Sequence, residues 1–229
     1  MCNRTFKEHF CLLAKLTALL LYVTSFFGCG SKYISINQID TIDELIINRI
    51  AIVPIVSDHL YSDETVKGAT VLTRLMEKKL DRFYYLIPGE RVEGFLSKIK
   101  PLRAQQIATL LGRKFNVDAV LTGVVTCYQS RVGNDYAVKQ PASVAFELQF
   151  TESKRGAFVW SARFDKTQKS LSEDLSNIAS FLQGEWRWLT AEELMELGVN
   201  QILDRFPGMR KRQEQRKLKP LRSPSLDMG

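Results

Sequence analysis

Histidine is almost absent from this sequence, with two residues in a chain of 229. His9 lies near the start, ahead of an apolar run, so His59 is the only histidine in the rest of the chain. The motifs G-x-G-x-x-G, G-x-x-x-x-G-K-[ST], H-E-x-x-H and G-x-S-x-G are absent as well. A histidine-based triad or a multi-histidine zinc site therefore lacks its residues. We expect no enzyme activity, no cofactor and no metal site.

The sequence also has no apolar run long enough to span a bilayer comfortably. The longest covers residues 16–27, whereas a membrane-spanning helix needs about 20 apolar residues. Arg4 and Lys7 precede it, and a basic start followed by an apolar run of about 7–15 residues is typical of a secretory signal. We interpret residues 1–28 as a signal peptide. A plain cleaved signal and an uncleaved anchor are the alternatives.

The four cysteines fit one lipid attachment site and no internal disulfide. The stretch F-F-G-C that ends at Cys29 resembles the processing site of bacterial lipoproteins, where a small residue precedes a cysteine that is lipidated and becomes the new N-terminus. The resemblance implies several fatty chains, including palmitate, on Cys29. Because Gly30 follows instead of an aspartate, it also implies the outer membrane. Cys2 and Cys11 fall in the signal, and we interpret the remaining Cys127 as a buried, inert thiol.

The body of the chain has no excess of basic residues, although the net charge is +7. Residues 205–229 hold eight Lys and Arg against two Asp and Glu, and residues 1–28 hold three against one, so segment 29–204 has a net charge of −1. A nucleic-acid groove needs clustered Lys and Arg on the fold itself, so no nucleic-acid partner is expected. The region after Gly208 has no apolar period, and we predict that residues 208–229 form a basic disordered tail.

The chain does contain a regular series of strand and helix patterns. Continuous apolar runs predict strands buried on both faces over 49–56 and 117–126, and a shorter strand over 84–88. Pro54 argues against the first of these, because proline removes a ladder donor and prefers a strand end. Apolar residues at intervals of three and four predict helices over 65–83 and from Pro101. Capping boxes at Ser170 and Thr190 begin two further helices.

Two neighbouring segments show strict alternation of apolar and polar residues, which predicts an antiparallel hairpin before those last helices. The residues expected to face inward are Val144, Phe146, Leu148, Phe150, Phe158, Trp160, Ala162 and Phe164. The whole order predicts an α/β fold over residues 49–207: a single-domain mixed sheet with central parallel strands, an antiparallel edge hairpin and flanking helices. Residues 29–48 are interpreted as a tether and lead-in.

Four segments carry a resemblance to a known family: I-A-I-V-P-I-V, T-V-L-T-R-L-M-E-K-K-L, G-R-K-F-N-V-D-A-V-L-T-G-V-V-T and F-V-W-S-A-R-F-D. In pattern and order they resemble envelope lipoproteins with a TolB N-terminal-like domain, the class of the curli-secretion lipoprotein CsgG and the penicillin-binding-protein activator LpoB. The resemblance implies an adaptor or assembly factor without catalytic residues. The chain lacks the pore-forming hairpins of CsgG and the long proline-rich tether of LpoB.

Two features predict a partner-binding surface. The connection 128–141 has the length of a functional loop and offers Tyr128, Arg131 and Tyr136, residue types enriched at interfaces. The stretch G-E-W-R-W-L offers Trp186, Arg187 and Trp188, types that dominate binding hot spots. The alternatives are an extended hairpin whose tyrosines pack on the sheet and tryptophans that cover the core.

The sequence therefore predicts an outer-membrane-anchored, periplasm-facing lipoprotein that acts as a non-enzymatic binding or assembly factor. Its expected partners are the lipid bilayer through acylated Cys29, an envelope protein and, as an option, further copies of the chain. Two alternatives stay open. One is an unrecognised envelope hydrolase that uses Asp58, His59 and Asp165, and the other is a polyanion binder that uses the basic tail.

Overall fold

The structure, a computed structural model, describes residues 33–39, 45–58, 62–99, 103–169 and 187–218. The predicted signal peptide, Cys29, His59, Trp186 and the helix predicted from Ser170 lie outside the described residues. The strands are β1 (Ile34–Gln38), β2 (Arg49–Ile52), β3 (Val56–Ser57), β4 (Tyr85–Ile87), β5 (Ala119–Gln129), β6 (Val132–Gly133), β7 (Val138–Gln140), β8 (Ser143–Glu152) and β9 (Phe158–Thr167). The helices are α1 (Asp63–Leu80), α2 (Gly89–Leu96), α3 (Ala104–Phe115), α4 (Ala191–Leu203) and α5 (Met209–Leu218).

One mixed sheet organises these elements, in the order β1-β9-β8-β5-β2-β4, with β3 also paired to β5. Strands β2, β3 and β4 run parallel to their neighbours, whereas β5, β8, β9 and β1 pair antiparallel. The predicted fold class is therefore confirmed. The lead-in contributes β1, which pairs with β9 outside the predicted hairpin.

Pro54 divides the apolar run that the sequence presents as one strand. The run becomes β2 and β3, which both pair with β5, and proline between them has no N–H to donate to a ladder. The neighbouring Val53 N–H still donates to the Leu121 carbonyl at 2.9 Å. The prediction of one continuous strand over 49–56 is therefore wrong, because the proline interrupts it.

Helices cover both faces of the parallel half of the sheet. Helices α1 and α4 pack on the face that carries Ile50, Ile52 and Leu121, and α2 and α3 pack on the face of Ala51 and Val120. This explains why these strands are apolar on both sides. The far face of β8 and β9 instead carries exposed polar side chains, with Arg163 paired to Glu147 at 2.9 Å.

The hairpin of β8 and β9 buries its predicted residues with one exception. Phe146, Phe150, Trp160 and Phe164 are fully buried, but Phe158 is 41% exposed, so its inward assignment is wrong. The reason is a register shift after Phe150, which places one extra residue in β9 and turns Val159 into the core instead.

The predicted disordered tail is wrong for residues 209–218, which form α5. This helix has no apolar stripe, and tertiary contacts fix it to the fold instead. The Arg212 guanidinium donates to the carbonyls of Phe83 and Ile47 and lies 4.5 Å from the centre of the Tyr84 ring. The Tyr84 hydroxyl donates to the Pro207 carbonyl, and burial raises the pKa of Tyr84 to about 12.

Candidate partner-binding surface

The connection 128–141 is a structured hairpin rather than a loop. Strand β5 continues to Gln129, and β6 and β7 then pair antiparallel with a turn between them. The Asn134 side-chain oxygen accepts hydrogen bonds from the backbone N–H groups of Tyr136 (3.0 Å) and Ala137 (2.8 Å). The turn therefore has a defined backbone conformation, and Tyr136 projects from it.

A cluster of Arg131, Asp135 and Trp188, here called the Arg131 cluster, ties this hairpin to the segment before α4. The Arg131 guanidinium donates to the Trp188 carbonyl and to the Asp135 carboxylate. The Trp188 N–H donates to the Asp135 carbonyl at 2.8 Å. The connection 128–141 and the segment around Trp188, which the sequence predicts as separate features, therefore form one site.

The segment 187–190 is itself fixed to its surroundings. Gln168, at the end of β9, donates to the Arg187 carbonyl at 2.8 Å and accepts from the Leu189 N–H at 2.7 Å. Thr190 caps α4, and its side chain and that of Glu193 exchange the predicted capping-box hydrogen bonds. The hairpin is therefore connected to both the sheet and α4.

The predicted binding residues differ sharply in exposure. Tyr128 is 4% exposed and packs against Gly68 of α1, and burial raises its pKa. Trp188 is also buried, and Arg187 forms an ion pair with Glu193 at 2.6 Å. Tyr136 is 82% exposed. The alternative in which the aromatic residues pack on the core thus holds for Tyr128 and Trp188, whereas Tyr136 is exposed.

Sequence reasoning missed several residues of this site, namely Asn134, Asp135, Gln168 and Val132. Asn and Asp in a short segment between two β-prone stretches are turn signals, and they were available from the sequence. Val132, which is 51% exposed beside the turn, carries no signal of its own because exposure depends on the hairpin.

The Arg187–Glu193 pair predicts a pH-dependent stability. The Arg187 hydrogen bond lowers the pKa of Glu193 to about 2 from its ordinary 4.5. A carboxyl group with a depressed folded-state pKa stabilises the fold above its unfolded pKa, and this contribution is lost as the pH falls toward the folded value. We expect Glu193→Gln to lower the urea midpoint at neutral pH and to flatten its decline between about pH 5 and pH 2.

The matched control for this measurement is Glu192→Gln, which removes the same charge one residue earlier. Glu192 pairs with Arg74, but both side chains are more than half exposed, and such pairs contribute little. The control should keep the pH dependence of the parent protein. Equal slopes for the parent and Glu193→Gln would contradict the prediction.

Cys127 is half-buried rather than fully buried. Its sulfur lies 3.6 Å from the Ser143 hydroxyl and 3.8 Å from the Ser143 carbonyl, next to a register shift in β5. These are weak contacts to neutral groups. No cation that would activate a thiolate is among its contacts in the described residues.

The carboxylates of the hydrolase alternative do not come together. Asp58 follows β3 and Asp165 lies in β9, with β5 and β8 between them. Three strand spacings separate their backbones by about 14 Å, beyond the reach of a general acid–base pair. Asp165 instead pairs with Arg163 at 3.3 Å.

The described residues contain no group of three or more His, Cys, Asp or Glu side chains arranged to hold a metal ion. Within the same ranges, no helix has the length and apolar character needed to cross a membrane.

The comparisons with known proteins give matches among solved structures alone. No protein-family model matches the chain, and no curated protein matches it. The chain is similar to lipoprotein GNA1162 from Neisseria meningitidis, with 21% identity over 60% of this chain and 94% of that one and a TM-score of 0.39. It is also similar to a PelC dodecamer from Paraburkholderia phytofirmans, with 17% identity over 61% and 88% and a TM-score of 0.39.

A further similar structure is the LpoB C-terminal domain from Salmonella enterica, with 14% identity over 55% of this chain and 87% of that one and a TM-score of 0.36. The matched structures therefore include lipoproteins, among them a member of the class named from the sequence. The finer assignment to a TolB-like domain stays a prediction. At these identities and TM-scores the likeness gives the chain neither a family nor an activity.

Proposed function

We propose that the protein is a lipoprotein of the outer membrane that faces the periplasm and acts as a non-enzymatic binding or assembly factor for another envelope component. Acylated Cys29 is its membrane anchor in this proposal. The support is the basic, apolar and small-residue pattern that ends at Cys29, together with the short chain between Cys29 and the start of the fold at Tyr33.

The observation that carries the binding role is the exposure of Tyr136 on a hairpin that is hydrogen-bonded to Trp188. A side chain that is 82% exposed contributes little to the core, whereas the Arg131 cluster fixes the backbone that presents it. A partner that contacts a rigid aromatic residue loses little conformational entropy on that side of the interface. Arg131, Asp135 and Trp188 act as positioning residues, and Tyr136 makes the contact.

Site-specific photo-cross-linking of the full chain in its native cells tests this role. A photoreactive amino acid at position 136 should give an adduct with an envelope component after irradiation. The same amino acid at position 158 is the matched control. Phe158 is also an exposed aromatic residue, but it lies at the start of β9, at the end of the β8–β9 pair that is opposite to the β6–β7 hairpin. Absence of an adduct at position 136, or equal adducts at both positions, would contradict the proposal.

A further inference from the structure

We infer that the envelope component contacted by the β6–β7 hairpin is the membrane surface itself, in the layer of lipid headgroups. This inference rests on the proposed lipid anchor at Cys29. It follows from the position of the hairpin relative to the point where the chain enters the sheet.

The strand register places the chain entry and the hairpin at the same end of the sheet. Ile34 pairs with Phe164, Phe164 with Phe146, and Phe146 with Val125, so these four residues form one row. Before this row, the Tyr33 carbonyl accepts from the Asp165 N–H at 2.9 Å. The chain therefore enters from the side on which β5 continues beyond the row.

The hairpin extends further toward that side than the chain entry does. Strand β5 runs four residues beyond Val125 to Gln129, and the β6–β7 hairpin follows. At about 3.3 Å per residue, the root of the hairpin lies roughly 10–13 Å beyond the row of Ile34. Strands β9 and β8 separate β1 from β5, which is a lateral distance of about 14 Å.

The tether is comparable in length to these distances. Cys29 precedes Tyr33 by four residues, a contour length of at most about 14 Å. An acylated cysteine lies at the membrane surface, so the entry end of the sheet stays within this distance of the lipid headgroups. The root of the hairpin projects roughly 10–13 Å beyond the entry row, which is close to the full length of the tether. When the strands point toward the membrane, the hairpin therefore reaches the headgroup layer.

The exposed residues of the hairpin suit this layer. Tyr136 and Val132 are 82% and 51% exposed, and Lys139 on β7 is exposed as well. Tyrosine is enriched at membrane–water interfaces, where its ring is apolar and its hydroxyl is hydrated. Lysine is attracted to anionic lipids.

Other charged residues lie at this end of the sheet. On the β1 side, the Lys166 ammonium lies 4.3 Å from the centre of the Tyr33 ring, and Lys169 is exposed. Asp165 lies on the same side, but its carboxylate pairs with Arg163 at 3.3 Å. Asp58 and Asp63 lie on the other side of β5, next to β3 and the start of α1. Two lysines thus lie on the side where the chain enters.

Fluorescence quenching on the full lipoprotein tests the inference. The processed protein with Cys127→Ser carries one new thiol, from Tyr136→Cys or from the control Phe158→Cys, labelled with an environment-sensitive fluorophore. It is reconstituted in vesicles of phosphatidylethanolamine and phosphatidylglycerol. We expect lipids with a nitroxide near the headgroup to quench the label at position 136 several-fold more than at position 158, and iodide in the water to show the opposite order.

The outcomes separate this inference from the proposed function. Flotation of both variants with the vesicles, combined with equal access of iodide to both labels, would overturn the inference and leave the lipid anchor intact. Failure of both variants to float would overturn the anchor and, with it, the inference. A protein adduct at position 136 in cells, without lipid quenching in vesicles, would assign the hairpin to a protein partner and also overturn the inference.

Discussion

Substitution of Cys29 by alanine is expected to release the protein from membranes and to abolish the incorporation of labelled palmitate. Each buried CH₂ group of an acyl chain contributes about 0.8 kcal/mol to membrane binding, so one chain holds a protein marginally and several hold it firmly. Removal of the attachment thiol removes all of them at once. Membrane fractionation and palmitate labelling of the parent protein and of Cys29→Ala measure both effects.

Cys127→Ser is the matched control because it also removes one thiol but lies within the sheet. It should leave palmitate labelling and membrane retention unchanged. If the apolar run 16–27 were an uncleaved anchor, neither protein would incorporate palmitate and both would remain in the membrane. Continued palmitate labelling of Cys29→Ala would show attachment elsewhere and contradict the proposal.

The anchor and the hairpin assign different tasks to different parts of the chain. In the proposed function the fatty chains on Cys29 hold the protein at a membrane, whereas a single tyrosine and a valine bury too little apolar area to do so alone. Contact of the hairpin with headgroups would instead fix the orientation of the domain. The end of the sheet that carries Phe158 would then face away from the lipid.

Most of the sheet and its helices were predictable because local periodicity and burial agree there. The runs around Ile50 and Val120 are apolar on both faces because helices cover both faces. The capping box of Thr190 and Glu193 begins α4 at the predicted residue, since the pattern satisfies backbone N–H groups locally.

The elements that escaped prediction depend on distant contacts. Strand β1 has five residues at a sheet edge, and its apolar alternation is limited to Ile34 and Ile36. Helix α2 begins at Gly89, directly after Pro88, and this dipeptide favours a turn when taken alone. Helix α5 is highly polar and is held by Arg212 contacts to residues more than 120 positions away.

The exposure of the site residues depends on one irregularity in β5. Regular alternation places Cys127 on the same face as the buried Val125 and places Tyr128 on the other face. The register shift between Val125 and Cys127 adds one residue, so Tyr128 takes the buried position and Cys127 is half-buried. The sequence pattern does not reveal such a shift, and it therefore identifies the type of the binding residues but not which tyrosine is exposed.

The packing of α4 on the sheet makes Gly198→Ala destabilising, although glycine to alanine in a helix usually stabilises by about 0.5–1 kcal/mol. A Cβ atom at position 198 would lie 2.8 Å from two ring atoms of Phe164. That ring is fully buried and packs against Phe146 at a centroid distance of 5.4 Å. Overpacking of a core costs about 1–3 kcal/mol, which exceeds the gain in helix propensity.

The matched control is Gly94→Ala in α2, where no atom lies within 4 Å of the added Cβ. This variant should stabilise the fold by up to about 1 kcal/mol, because the helix gains propensity and loses no packing. Urea unfolding of the two variants and the parent should therefore give shifts of opposite sign. A rise in the free energy of unfolding for Gly198→Ala would mean that α4 moves away from Phe164 at little cost. Such a result would contradict the close packing of α4 on the sheet. This packing supports segment 187–190, which in turn is hydrogen-bonded to the β6–β7 hairpin.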